Sequence, residues 1–162
     1  MEKRDLYDIN RNLTGETIYK GDSIPDSKFI LVVLSFIQNS KGEFLIQKRS
    51  VQKGGKYAST GGHAKTGETS IQAMMTEINE ELALNANEDE LHLVYSGRED
   101  EDKIFFDLYY MKKDFSTNSL ILQKEEVESV KWMTFDEIKQ LISTNEFLDS
   151  NVDEFYKILD YL

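Results

Sequence analysis

The sequence predicts an α/β (α+β) domain in which a mixed β-sheet lies between helices. Three observations carry this. Apolar, β-branched runs of strand length stand before, between and after the helical segments. Two helical segments open on a complete capping box, and their apolar residues recur at helical spacing. The chain has 162 residues, 40% hydrophobic and 30% charged, which suits one folded domain with a full core.

In order, "ETIYKG" (16–21) reads as a short strand ending at the Gly21-Asp22-Ser23 turn. Phe29–Ile37, "FILVVLSFI", is almost continuously apolar, the mark of a strand buried on both faces. "NSKG" (Asn39–Gly42) is a turn, with Glu43–Arg49 as its hairpin partner. Gly54-Gly55 and Gly61-Gly62 bracket Lys56–Thr60, room for one more strand. A helix then opens on Thr69 and Gln72, with Ile71, Met74, Met75, Ile78 and Leu82 along one face. "LHLVYSG" (91–97), Lys103–Lys113 and Val127–Met133 are strand-like. Thr134 and Glu137 open a helix to about Ile142, and a last helix spans about Asn151–Leu162. There is no internal repeat and a single proline, Pro25, so nothing suggests a second domain.

The formal net charge of −11 excludes a nucleic-acid polymer as the main partner, since phosphate contacts need a basic footprint. A small phosphate ligand stays open if a cation mediates the contact. No apolar run reaches the ~18 residues that span a bilayer. The absence of cysteine excludes disulfides, thiolate metal sites and cysteine nucleophiles. The polar, acidic N-terminus does not read as a signal peptide, and the expected location is the cytoplasm.

Glu77, Glu80 and Glu81 stand at i, i+3, i+4 and share a helix face, away from the apolar stripe. They sit at a helix C-terminus, where the dipole is already negative, and repel one another. No cation at positions 73, 74, 76, 83, 84 or 85 offsets them. The default for such a face is solvated surface; the alternative is a bound divalent cation such as Mg²⁺, which takes carboxylate oxygens together with substrate phosphates.

The surrounding pattern favours the cation. From Gly62 to Leu84 the chain resembles the signature of the Nudix hydrolases, G-x5-E-x7-R-E-U-x-E-E-x-G-U, where U is bulky and aliphatic. Gly62, Glu68, Glu77, Ile78, Glu80, Glu81 and Leu84 match, seven of nine specified positions over 23 residues. The "DLYD-x-N" N-terminus, "NSKGEFLIQKRS" and "VKWMTFDEI" are similar to one Nudix subgroup, itself similar to isopentenyl-diphosphate isomerase in its N-terminal region. The resemblance implies a single Nudix domain over 1–162, an α/β/α sandwich with a mixed sheet between helices. Its box spans 62–84 and an N-terminal extension covers about 1–27.

What it implies for function is hydrolysis of a diphosphate linkage in a nucleoside diphosphate derivative, a small-molecule substrate, with Mg²⁺ or Mn²⁺ and an attacking water. Glu80, Glu81 and the backbone carbonyl of Gly62 become metal ligands, and Glu77 a metal ligand or general base. Glu68 and Gly61 shape the loop, since a glycine backbone can approach metal and phosphate closely. Glu126 is the candidate for a further acidic ligand from a late loop, with Glu125 beside it. Arg49 and Lys48 could reach a substrate phosphate. A homodimer is left open.

Two positions depart from the signature. Thr76 replaces an arginine that pairs with a box glutamate, leaving one hydrogen bond and no charge. Ala83 replaces a glycine, a mild change, since alanine continues a helix well. Three rivals follow. A Nudix-fold nucleotide sensor without hydrolysis is suggested by Thr76, against the intact glutamates. An isomerase-like enzyme would use His63 as a ligand, but it needs a cysteine and more histidines than His63 and His92. His63 is therefore expected in a loop beside the metal site. Asp149–Glu154 faintly resembles a calcium loop, though a capped final helix fits better. Phe105, Phe106, Tyr109 and Tyr110 are expected in core packing rather than base stacking.

Overall fold

A computed structural model describes residues 1–162. Its strands are β1 (Lys3–Tyr7), β2 (Leu13–Tyr19), β3 (Ile30–Gln38), β4 (Phe44–Arg49), β5 (Tyr57–Ala58), β6 (Thr60–His63), β7 (His92–Glu99), β8 (Ile104–Lys112) and β9 (Val127–Met133). Its helices are α1 (Ser70–Leu82), α2 (Phe135–Ser143) and α3 (Val152–Tyr161). β1 and β2 form a separate antiparallel hairpin, and the other seven strands make one mixed sheet. β3 is the axis: it runs parallel to β8 along its whole length and antiparallel to β6 from Val32↔His63 to Ser35↔Thr60. β4 leaves β3 after one register pair, Gln38↔Phe44, and carries β9 and β5 instead. The two halves of the sheet therefore splay apart between β6 and β4.

As its sequence requires, β3 is buried on both sides. Leu31 and Val33 pack with Met74, Ile78 and Leu82 of α1, while Phe36 packs with Ile138 of α2 and Phe155 and Ile158 of α3. Each such side chain contributes ~1.5–3 kcal/mol by leaving water. This is the expected sandwich, with one helix on one face and two on the other. Both capping boxes form as read, Thr69 with Gln72 and Thr134 with Glu137.

One strand has no counterpart in the sequence reading, and three local readings change. β1 carries no apolar run; its inward positions are Arg4 and Leu6, both buried, and an inward arginine hides the period-2 signal. Lys56–Thr60 holds two short strands rather than one, and β6 continues to His63, so "GGH" is strand and not loop. That pairing demands glycine: a Cβ on Gly61 would run into the Val33 carbonyl and meet Leu34 Cδ1 at 2.9 Å. Finally, Ala83 ends α1 instead of continuing it, at φ 51°, ψ 35°. Leu84 must turn inward to be buried, and the freed carbonyls of Glu81 and Leu82 accept from the Gln123 and Ile121 amides at 3.1 and 3.0 Å.

Candidate active site

The antiparallel pairing of β6 with β3 lays Gly61 and Gly62 beneath the acidic end of α1. Glu77 lies directly over Gly62; a Cβ there would sit 2.6 Å from each carboxylate oxygen. The glycine is required by this close approach, not by its backbone angles. The three glutamates share a face as their spacing predicts, but they are graded in burial. Glu81 is 6% exposed, the Glu77 side chain 13% and that of Glu80 43%.

Burial, reinforced by Glu77 and Glu126, pushes the Glu81 carboxyl up to about 8, with Gln47 and the Gly61 amide opposing. Burial likewise raises Glu77 to about 7, opposed by Lys65 and assisted by Glu80. Glu81 Oε1 and Gln47 Oε1 are buried without a hydrogen-bond partner, while Gln47 donates its amide to the Ser59 carbonyl at 2.7 Å. Two orphaned buried acceptors in one place cost ~1–3 kcal/mol each, and a cation would satisfy both.

Glu68 shapes the loop before α1. It accepts from the Lys65 amide at 2.7 Å and from the Thr76 hydroxyl at 2.6 Å. Thr76 thus supplies the single hydrogen bond anticipated for it. Positive charge arrives from Lys65, whose ammonium lies 3.7 Å from Glu77 and 3.5 Å from Glu80. Burial opposes its charge, but Glu77, Glu80, Glu68 and Glu2 outweigh that and raise its pKa. Sequence reasoning missed Lys65 because it sought cations only along the helix. The available signal was a lysine three residues before Glu68, in a loop that must fold back onto α1.

The splayed sheet opens a cleft of about 900 Å³. Glu81, Gly61, Gly62, Glu126 and Arg49 gather at one end, without Glu77 and Glu80; Val32, Leu34 and Phe106 form an apolar floor, and Arg4 of β1 with Asp22 and Ile24, which follow β2, line a wall. Glu126 reaches this end because its loop caps the C-terminus of α1, and it also pairs with Lys53 at 3.2 Å. Lys48, one residue before Arg49, lies outside the cleft, 3.5 Å from Glu128 and over the Tyr57 ring. Strand alternation separates the two neighbours. His63 lines the cleft from β6, and burial next to Arg4 pushes it down to about 4, keeping it neutral. Phe105, Tyr109 and Tyr110 are core residues as expected, whereas Phe106 faces the cleft. Asp149–Asn151 form a single tight turn leading into α3, and Asn151 accepts from the Ser59 amide at 3.0 Å.

No three His, Cys, Asp or Glu side chains converge into a ready cage for a metal ion. The donor set nevertheless fits a hard dication: carboxylate oxygens, two orphaned buried acceptors and a strand backbone free of side chains.

The profile described as the NUDIX domain matches residues 28–155. A protein named as an uncharacterized Nudix hydrolase of Listeria monocytogenes is 38% identical over 152 residues, 91% of this chain and 89% of its own. The crystal structure of a Deinococcus radiodurans protein superposes with a TM-score of 0.76 at 22% identity, covering 95% of this chain and 96% of that one. The NUDIX domain of Shewanella oneidensis NrtR, solved in complex with ADP ribose, superposes at 0.57 with 16% identity, over 69% and 77% of the two chains. The chain belongs to the Nudix family.

Proposed function

We propose, taking membership of the Nudix family as premise, that this protein is a pyrophosphohydrolase that cleaves the diphosphate linkage of a nucleoside diphosphate derivative. The observation that carries the proposal is the placement of Glu77 over Gly62, a residue that lines, together with the buried Glu81 and its unpaired Oε1, a cleft large enough for such a molecule. The whole chain acts as one domain, with residues 1–27 as an extension whose "DLYD-x-N" segment is similar to that of the isomerase-like subgroup, without that enzyme's cysteine chemistry.

Glu80, Glu81, the Gly62 carbonyl and Glu126 would hold Mg²⁺ or Mn²⁺. Such an ion, when bound, neutralises charge on the bridging phosphate oxygens and acidifies a water. Glu77 would serve as general base, a role suited to a carboxyl raised toward neutral pH. Arg49 meets a phosphate oxygen inside the cleft. Glu68, held by Thr76 and the Lys65 amide, fixes the loop from which β6 and α1 diverge.

The test is phosphate release from a panel of nucleoside di- and triphosphates and diphosphate-linked sugars or cofactors, with and without Mg²⁺. Metal-dependent turnover of at least one is expected, lost in Glu77→Gln and in Glu81→Gln. The rival reading, a nucleotide sensor, is favoured by the single point that Thr76 brings no charge. Tight nucleotide binding with no turnover across the panel would establish it instead.

A further inference from the structure

Lys65 is the one cation within ion-pair distance of the box glutamates. Its ammonium stands between the Oε1 of Glu77 and the Oε2 of Glu80 at 3.7 and 3.5 Å. Its own backbone amide is fixed on Glu68, which the Thr76 hydroxyl also binds. The loop and the helix are thus tied at one residue, and from it the ammonium reaches the face where the carboxylates crowd. Glu126 takes its partner, Lys53, from another loop, and Glu81 has no cation and an unpaired Oε1. One side chain therefore carries all the local positive charge on Glu77.

We propose that Lys65 is a positioning residue for Glu77: a built-in counter-cation that holds its carboxylate over Gly62 and that opposes, by like charge, the entry of a divalent ion beside Glu77 and Glu80. The proposal rests on the hydrolase reading for its catalytic half only. The helix position just before Glu77 is filled by threonine, so hydrogen bonding and charge are divided between two residues, Thr76 toward Glu68 and Lys65 toward Glu77. The two effects have opposite signs when the charge is removed. Without Lys65 the acidic cluster is more negative and binds a dication more tightly, while Glu77 loses the contact that aims it.

The variants are Lys65→Met and Lys65→Arg. Lys65 is about one-third exposed, so neither substitution opens a cavity in the core. Mn²⁺ affinity, read by electron paramagnetic resonance on the metal-free full chain, is expected to rise about three- to tenfold in Lys65→Met and to stay near native in Lys65→Arg. On a substrate found in the panel, kcat is expected to fall about tenfold in Lys65→Met at near-constant KM, with Lys65→Arg keeping most of the native rate. Loss of both affinity and rate together would mark Lys65 as merely structural and overturn the proposal, as would unchanged Mn²⁺ affinity. The Mn²⁺ measurement needs no substrate, so it decides the role of Lys65 even where the hydrolase reading fails.

Discussion

Glu81 shows most directly what the site asks for. Its carboxyl ordinarily titrates near 4.5 and is pushed up to about 8 by burial and by Glu77. Between those values the folded protein keeps a proton that the unfolded chain has released, so metal-free stability falls as pH rises across the window. We expect the melting temperature without metal to drop from pH 5 to pH 8, and Mg²⁺ to restore it at pH 8. Glu81→Gln should flatten the slope, raise the metal-free melting point at pH 8 by on the order of 2–4 °C, and remove the Mg²⁺ response. Thr76 makes a smaller prediction. Thr76→Val deprives Glu68 of its 2.6 Å donor, a loss of about 1 kcal/mol that should lower kcat by roughly fivefold and leave Mn²⁺ affinity intact. The glutamate face itself was legible from spacing, because helical geometry fixes which residues share a side. Gln47 was not, since a glutamine inside a strand gives no sign that its carbonyl oxygen will be left unpaired beside Glu81.

Among the elements, α1 is bounded by one strong signal and one costly residue. Its N-terminus is the capping box of Thr69 and Gln72, which sequence shows plainly. Its C-terminus turns at Ala83 with φ 51°, a conformation that costs an alanine ~1–2 kcal/mol and glycine almost nothing. Ala83→Gly is therefore expected to stabilise the protein by about 1 kcal/mol, raising the melting point ~2–4 °C in denaturation by heat. An unchanged or lower melting point would mean that the turn is held by Leu84 and the 121–123 loop at no strain. The strands β3, β4, β8 and β9 could be read because their apolar runs or alternation reflect burial in the strand itself. β6 could not: Thr60–His63 is short and half glycine, and it is a strand only because β3 presents an unpaired edge and Gly61 allows backbone contact. The same edge brings Gly62 under Glu77, so the least strand-like segment is the one that assembles the site.

At the scale of the whole molecule, the N-terminal hairpin lies outside the residues matched by the NUDIX profile, 28–155, yet it touches both halves of the site. The Lys3 carbonyl and the Asp5 carboxylate accept from the Thr66 and Gly67 amides, each at 2.9 Å, which braces the loop carrying Lys65 and Glu68. Arg4, Asp22 and Ile24 wall the cleft. None of this is readable from a polar stretch whose partners are far along the chain. The hairpin is fastened by Tyr7 pairing with Phe29 and by Arg11, whose guanidinium donates to Asp107 at 2.8 Å. Asp107 is buried on β8; burial would raise its pKa, but Arg11 and the hydroxyls of Ser70 and Ser96 outweigh that and hold it low. A buried carboxylate that loses its only ionic partner is destabilised by several kcal/mol, and the partial exposure of Arg11 (32%) reduces this to about 2 kcal/mol. Arg11→Met should thus lower the melting point by ~4–8 °C near pH 7. Because Asp107 titrates low in the folded state, the native advantage is present above its ordinary value of 3.8 and is lost as pH falls below it. The two melting curves should therefore converge in acid. The functional consequence separates hairpin from box. A loosened hairpin removes a cleft wall but leaves Glu77, Glu80 and Glu81 on α1, so KM should rise severalfold, with Mn²⁺ affinity rising only as far as Lys65 moves with its braced loop. A variant that instead changes Mn²⁺ affinity while keeping KM would show that the hairpin serves the box loop alone.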